Sequence, residues 1–195
     1  MLDPEVFSTQ RLVASAISLE HIDLIAAMHQ NPTMMATLGG LQDRQRTQQG
    51  LEMQTNDWQQ AGYGLCVFHD RASGAFVGRG GLRLVQLDNQ PETEIAYALL
   101  PEWWGQGLAT EIARQARVVA FEQLQLDSLV LFTMTTNVAS QRVAEKLGMV
   151  YERNFERANL PHVLFRQTKI AWTHALIPDS SPTARGRREH RVIIG

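Results

Sequence analysis

The sequence predicts a single α/β domain, with a twisted mixed sheet of about six or seven strands and helices on both faces. Three observations carry this. Short strand-like apolar runs recur along the chain, bounded by Gly, Pro, Asn and Asp. One stretch, Gly107 to Leu124, is strongly amphipathic with helical period. That stretch lies between two strand-like runs, TEIAYALL and SLVLFT, so strand and helix alternate. The chain has 195 residues, enough for one domain with a real core.

The elements follow in order. Thr9 to Ala16 alternates weakly and reads as a first strand. Ser18 can cap a helix whose Leu19, Ile22, Ala26 and His29 share a face, and Pro32 marks a break after it. Asp43 to Ala61 is polar, with Leu51, Met53 and Trp58, and reads as a surface helix. Tyr63 to His69 and Phe76 to Val85 read as strands joined by a tight turn at Asp70 to Gly74. Asp88 to Glu92 reads as a loop, and Thr93 to Leu100 as a strand stopped by Pro101. Within Gly107 to Leu124, Leu108, Ile112, Ala116, Val119 and Ala120 share a face, with Glu111, Arg114, Gln115 and Glu122 opposite. Ser128 to Thr133 is near-continuously apolar, as in a strand buried on both faces. Asn137 opens a short helix through Lys146, and Gly148 stands where a helix end favours glycine. Val150 to Arg157 and His162 to Trp172 read as a last strand pair. The domain is therefore expected over residues 8–175, and residues 178–195 (from Pro178, SSPTARGRREHR) read as a disordered tail.

Composition excludes several classes. Hydrophobic residues make up 44% and charged residues 19%, with a net charge of -2. That balance lacks the basic excess of a broad nucleic-acid surface, so nucleic acid is not an expected partner. The arginines Arg185, Arg187, Arg188 and Arg191 read as a solvated tail. Cys66 is the only cysteine, which fits a reducing, cytoplasmic setting, and on an apolar strand it reads as buried and inert. The first residues carry acids and no long apolar run, so no signal peptide is expected, and no stretch approaches a membrane span. The six histidines show no ligand spacing, so no metal site is expected.

The informative stretch is Glu94 to Glu111, EIAYALLPEWWGQGLATE. A strand ends, a loop with Gly105 and Gly107 follows, and a helix begins at once. A helix N-terminus presents unpaired N–H groups and partial positive charge, so it attracts anions. Glycine lets backbone approach a phosphate closely. No Lys or Arg occurs between Arg83 and Arg114, so backbone amides would hold a phosphate here. A plain turn with two glycines reads the same way, because G-x-G alone has little specificity. A P-loop needs G-K-[ST], but Leu108 and Ala109 follow Gly107. The dinucleotide fingerprint needs Gly or Ala where Thr110 stands, and an acid that the strand ending at Thr133 to Thr136 lacks.

PEWWGQGLATE resembles the acyl-CoA loop of GNAT acetyltransferases, Q/R-x-x-G-x-G/A, laid on Trp104, Gly105, Gln106, Gly107, Leu108 and Ala109. Gly107 and Ala109 match, and Trp104 replaces the Gln or Arg. That variant, together with NVASQRVAEKLGM, resembles the Rim-type ribosomal-protein N-terminal acetyltransferase branch, with Met149 in place of Phe. The resemblance spans about Ser8 to Trp172. It implies a GNAT-like acyl-CoA N-acyltransferase fold, acetyl-CoA as cosubstrate, and attack by a primary amine in a ternary complex. The acceptor is a protein N-terminus or a small amine, and a homodimer stays open.

The resemblance also implies roles. Leu108, Ala109 and Thr110, with Trp104 and Gly105 to Gly107, would form the cofactor-binding loop that holds the pyrophosphate. Leu99 and Leu100 would offer backbone groups to the pantetheine and the oxyanion. Asn137 would contact the pantetheine arm, and Ser140 the thiol sulfur; they lie one turn apart, and Asn137 can also be a plain helix cap. Glu94 is the first candidate for the base, against a plain strand glutamate, and Glu92 the second. The superfamily's usual tyrosine acid corresponds to Ala144 here, which puts weight on Ser140. Tyr97 falls on the strand face opposite Glu94 and is expected to pack in the core. Trp58, Trp103 and Trp104 are expected in the core or a pocket wall. Another class stays open: a protein that binds acyl-CoA without catalysis.

Overall fold

The computed structural model describes residues 1–176, and the tail expected over 178–195 lies outside the described residues. One seven-stranded sheet runs in the order β1-β2-β3-β4-β5-β7-β6. Its strands are β1 (Leu12–Ala16), β2 (Leu65–Asp70), β3 (Phe76–Leu87), β4 (Gln90–Leu99), β5 (Ser128–Met134), β6 (Val150–Arg157) and β7 (Leu160–Thr168). Only β4 and β5 are parallel; every other neighbour pair is antiparallel. The helices are α1 (Ile22–His29), α2 (Pro32–Met35), α3 (Arg44–Ala61), α4 (Leu108–Val118), α5 (Val138–Lys146) and α6 (Lys169–Leu176).

Local chemistry sets the helix ends. Asp43 caps α3 by accepting from Arg46 N–H at 2.7 Å, and Asn137 caps α5 by accepting from Ser140 N–H at 3.1 Å. Sheet register then divides the helices between two faces. Gly80 lies opposite Tyr97, and Arg83 opposite Glu94, so Tyr97 and Glu94 point to opposite faces. A Cβ on Gly80 would meet Ile112 of α4 at 2.8 Å, so α4 packs tightly on the Tyr97 face only because that position has no side chain. Asp57 of α3 feels the charge of Arg83, and His29 of α1 that of Arg79, which places α1 and α3 on the Glu94 face. The two helices are joined by His29 Nδ1 and Thr47 Oγ1, 2.9 Å apart. Phe68, Leu82 and Ile95 from the sheet and Phe121 after α4 are among the fully buried side chains. Burying one such side chain is worth ~1.5–3 kcal/mol.

The structure departs from the sequence reading in four places. The first predicted helix begins only at Ile22, because Leu19–His21 form a tighter 3₁₀ turn. The loop expected over Asp88 to Glu92 is a two-residue turn, with Asp88 and Asn89 at φ 51 and 61, so Glu92 lies on β4. The long helix is regular only to Val118 and widens into a π turn at Val119–Gln123. The last strand ends at Thr168, short of Trp172. The Thr168 hydroxyl accepts from Ala171 N–H at 3.2 Å and starts α6. Trp172 is thereby carried onto Phe121, with ring centroids 5.2 Å apart.

Candidate active site

The site begins where the central sheet opens. β4 and β5 are bridged at a single register, Glu94 opposite Val130, and diverge beyond it. On the other side β4 is fully paired with β3, and Leu100 N–H bonds Val77 O at 3.0 Å. The antiparallel alternation then turns the backbone groups of Tyr97 and Leu99 toward the gap with β5. Trp104 Nε1 donates to Leu99 O at 2.7 Å, so of the two Leu99 backbone groups the N–H is the one left directed into the gap. Leu100, expected to offer backbone groups to the pantetheine and the oxyanion, has both engaged within the protein: its N–H is held by Val77 O and its carbonyl accepts from Trp103 N–H at 3.0 Å. The half-turn alternation that frees Leu99 is what ties Leu100 back.

A loop leads from β4 into α4. Trp103 Nε1 donates to Phe76 O at 3.2 Å and pins the loop to β3. Gly105 and Gly107 both take left-handed backbone, φ 73 and 79. Gly107 is the N-cap of α4 and no side chain caps it, so the first N–H groups, on Leu108, Ala109 and Thr110, are open to an anion. Gln106 is tied outward, its Nε2 donating to Glu102 O at 3.0 Å. Arg11, far away in sequence, braces the loop by donating to Gln106 O at 3.0 Å while pairing with Glu111 at 2.6 Å.

These parts line a cleft of about 620 Å³. Leu99, Trp104, Gly105, Gly107, Leu108, Ala109 and Thr110 form one side, and Asn137 with Ser140, Arg142, Val143 and Lys146 of α5 the other. Thr33, Met34, Thr37 and Leu38, in and after α2, close it from above. Asn137 Nδ2 donates to Thr37 Oγ1 at 3.2 Å and stitches this cover to the start of α5. Sequence reasoning missed the cover, because nothing local marks a four-residue helix as part of a site 100 residues away. It also missed cations: Arg142 and Lys146 of α5 line the cleft, so charge absent from the loop arrives through the fold. A neighbouring hollow of about 770 Å³, beyond Gly107, presents Arg11, Arg114 and Lys146.

Tyr97 packs against the core, as expected, and also reaches the cleft. Its phenol lies 2.9 Å from Ser140 Oγ, and both side chains line the cleft. Burial pushes the phenol up to about 12, with the Ser140 hydrogen bond pulling the other way. Ala144, where a tyrosine acid was expected to be missing, is fully buried.

Glu94 stands apart from this cleft. It is only 3% exposed and faces the α1 and α3 side, where Arg83 donates to its carboxylate at 2.5 and 2.9 Å. Burial raises its pKa, against the pull of Arg83 and, further off, Arg157 and Arg79. Arg79 is itself buried enough for its pKa to fall to about 10, and its Nε has no partner among the described residues. Glu92 is bound to Arg166 at 2.8 Å, a link between β4 and β7. Trp58 donates its indole N–H to Leu65 O at 2.6 Å within the core, and Cys66 is buried with its thiol pKa pushed far up.

The chain is similar to known proteins in sequence and in fold. The family described as Acetyltransferase (GNAT) domain matches residues 11–150. Uncharacterized protein YkkB of Bacillus subtilis (strain 168) is 29% identical over 144 residues, covering 74% of this chain and 84% of that protein. FsC-acetyl coenzyme A-N(2)-transacetylase of Aspergillus fumigatus is 37% identical over 90 residues, covering 43% of this chain and 38% of its own length. Among solved structures, a putative GnaT-family acetyltransferase from Bordetella pertussis superposes with a TM-score of 0.73 at 21% identity, covering 83% of this chain and 98% of that one. RimL, a ribosomal L7/L12 alpha-N-protein acetyltransferase in complex with coenzyme A, does so with 0.67 at 16% identity, covering 84% and 97%. The overall fold is therefore one these structures share, and the family match over residues 11–150 shows that the chain belongs to the GNAT acetyltransferase family.

Proposed function

We propose that the protein transfers the acetyl group of acetyl-CoA to a primary amine, by direct attack in a ternary complex. The observation that carries this is the side-chain-free N-terminus of α4, which opens into the same cleft as Ser140 and the Leu99 N–H. The donor set fits the cosubstrate. Leu108, Ala109 and Thr110 N–H groups would hold the pyrophosphate, and Lys146, Arg114 and Arg142 would hold further phosphate charge. When bound, acetyl-CoA supplies the acyl group as a thioester.

The chain's own groups then divide the work. The Leu99 N–H faces the gap as a donor for a developing oxyanion. Ser140 offers a hydroxyl to the leaving sulfur. Asn137 orders the α5 terminus and the cover above it. Glu94 is the proposed base. Its burial raises its basicity, and its place beside the single β4–β5 bridge puts it at the point where the sheet opens between faces. The motif blocks favour an acceptor of the Rim type, a peptide or protein α-amine, over small amines, and the lone Cys66 fits a cytoplasmic setting. The match to FsC-acetyl coenzyme A-N(2)-transacetylase, over 43% of this chain, keeps acceptors other than protein α-amines in the panel.

A second reading is favoured by one observation. Arg83 clamps Glu94, and among the described residues no carboxylate lines the cleft, as suits a protein that binds acyl-CoA without turning it over. Thiol release from acetyl-CoA separates the two. The panel holds peptides with free N-terminal Ser, Ala and Met, free amino acids, and simple alkylamines. Amine-dependent thiol release with a matching acetylated product supports the enzyme. Coenzyme A binding without release across the whole panel supports the sensor.

A further inference from the structure

We propose that Tyr97 is a positioning residue for the leaving group: its phenol fixes the Ser140 hydroxyl so that this hydroxyl's own hydrogen points at the sulfur of bound coenzyme A. The inference rests on the proposed reading, in which the sulfur lies by Ser140.

Ser140 is the third residue of α5, where a serine hydroxyl is free to rotate or to bond the carbonyl one turn back. Here it does neither. Its only hydrogen bond among the described residues is with the Tyr97 phenol, 2.9 Å away, near the normal O–H···O separation. The phenol's two contacts, Ser140 Oγ at 2.9 Å and Ser140 O at 3.4 Å, both lie on Ser140; the shorter one fits either hydroxyl as donor, and we take the phenol as the donor. The shorter contact makes Oγ the better acceptor. An oxygen that accepts from the phenol keeps its own hydrogen for another partner, and that hydrogen is left on the cleft side.

Burial keeps the phenol protonated, with its pKa pushed up to about 12, so it remains a donor at any working pH. The donors come from different elements, Tyr97 from β4 and Ser140 from α5, which also sets the width of the cleft at this point. As the C–S bond breaks and its electron pair passes to sulfur, a hydroxyl already polarised by a second donor is the stronger hydrogen-bond donor. No proton need leave Tyr97 for this. The charged side chains lining the cleft are Arg142 and Lys146 on α5; none from α2, β4, the glycine loop or α4 lines it. Those two cations also favour a thiolate, but equally in every variant below.

The test reads the thiol pKa of bound coenzyme A, by ¹³C NMR of coenzyme A labelled at the carbon next to sulfur. It needs no acceptor. In the wild type the bound thiol should titrate below free coenzyme A in the same buffer. Ser140→Ala should raise it by about one unit, tenfold in thiolate at fixed pH. Tyr97→Phe keeps the ring and should raise it by about half a unit, threefold, the size expected when one donor strengthens another. The double variant should match Ser140→Ala alone, because Tyr97 acts through Ser140. Ser140→Thr, which keeps the hydroxyl, should stay near wild type. Coenzyme A affinity should hold within about threefold throughout.

A wild-type thiol pKa in Tyr97→Phe, with Ser140→Ala shifted, overturns the role of Tyr97 and leaves the proposed function standing. So does an additive double variant, or a loss of affinity in Tyr97→Phe without a thiol shift, which marks simple packing. Failure of the wild type to bind coenzyme A, or to shift its thiol at all, sinks the proposed reading and this inference with it.

Discussion

Strand parity separates Glu94 from Tyr97 on β4, and the structure keeps them on opposite faces. Parity says nothing about what waits across from each. Ser140 waits across from Tyr97, 43 residues along the chain, so a side chain expected to pack enters the cleft. Arg83 waits across from Glu94 and turns a free strand carboxylate into a buried ion pair. Both partners come from tertiary assembly, which no local pattern encodes. The two roles open to Glu94 leave different traces in Glu94→Gln. If it is the base, kcat falls ~10²-fold or more near neutral pH, and the loss shrinks at high pH, where more amine is already neutral. If it only holds Arg83, kcat keeps its wild-type pH profile while thermal stability drops, by ~1–3 kcal/mol for a charge left without its partner. A carboxylate does not hold an anionic cosubstrate, so coenzyme A affinity should survive in either case. A pH–rate profile with a melting curve decides between them.

The turn from β4 through the glycine loop into α4 was readable because its signals are adjacent: a strand pattern, Pro101, two glycines and a helical pattern in sequence. The start of α6 was not. Lys169 to Trp172 fits either period, and only the Thr168 cap and the packing of Trp172 on Phe121 decide for a helix. The expected anion site at α4 carries a sharp test. Gly107 has φ 79, and a Cβ there meets only Arg11 Nη2, at 3.9 Å, so the added side chain would project into the space proposed for pyrophosphate. Gly107→Val should weaken coenzyme A binding by at least an order of magnitude, about 1.4 kcal/mol. Valine is also strained at positive φ, at a cost of order 1–3 kcal/mol. Gly74 makes the control, with φ 72 and nothing within 4 Å, in the β2–β3 turn away from the cleft. Gly74→Val should lose comparable stability and keep full affinity. Equal affinity losses in both variants, measured by calorimetry, would refute the placement.

The domain as a whole holds two layers of polar chemistry against one sheet, with the cleft on the α4 and α5 face and buried charge on the α1 and α3 face. The sheet and most of its helices follow from periodicity, but the charged layer does not, since Arg79, Arg83, Glu94 and His29 come from three elements that only the fold brings together. That layer makes stability depend on pH. His29 is buried, its Nδ1 meets Thr47, and its Nε2 has no partner among the described residues. Burial first, and the Arg79 charge second, lower its pKa from 6.5 to about 4. Between those values the unfolded chain binds the proton and the folded chain resists it. The contribution is thus complete above pH 6.5 and is lost as pH falls toward 4, with a slope of at most about 1.4 kcal/mol per unit. Glu94 works the other way: its raised pKa gives stability that is complete below the unfolded value of 4.5 and is lost as pH rises through the folded value. The two overlap, so the wild-type curve alone cannot assign the acid limb. His29→Asn isolates it, because the amide can keep a hydrogen bond to Thr47 and does not titrate. Urea midpoints at about pH 7 and about pH 5 should show the wild type losing roughly 1 kcal/mol more than the variant over that interval. Parallel losses in the two proteins would mean that His29 carries no proton linkage and that the acid limb belongs to the carboxylates.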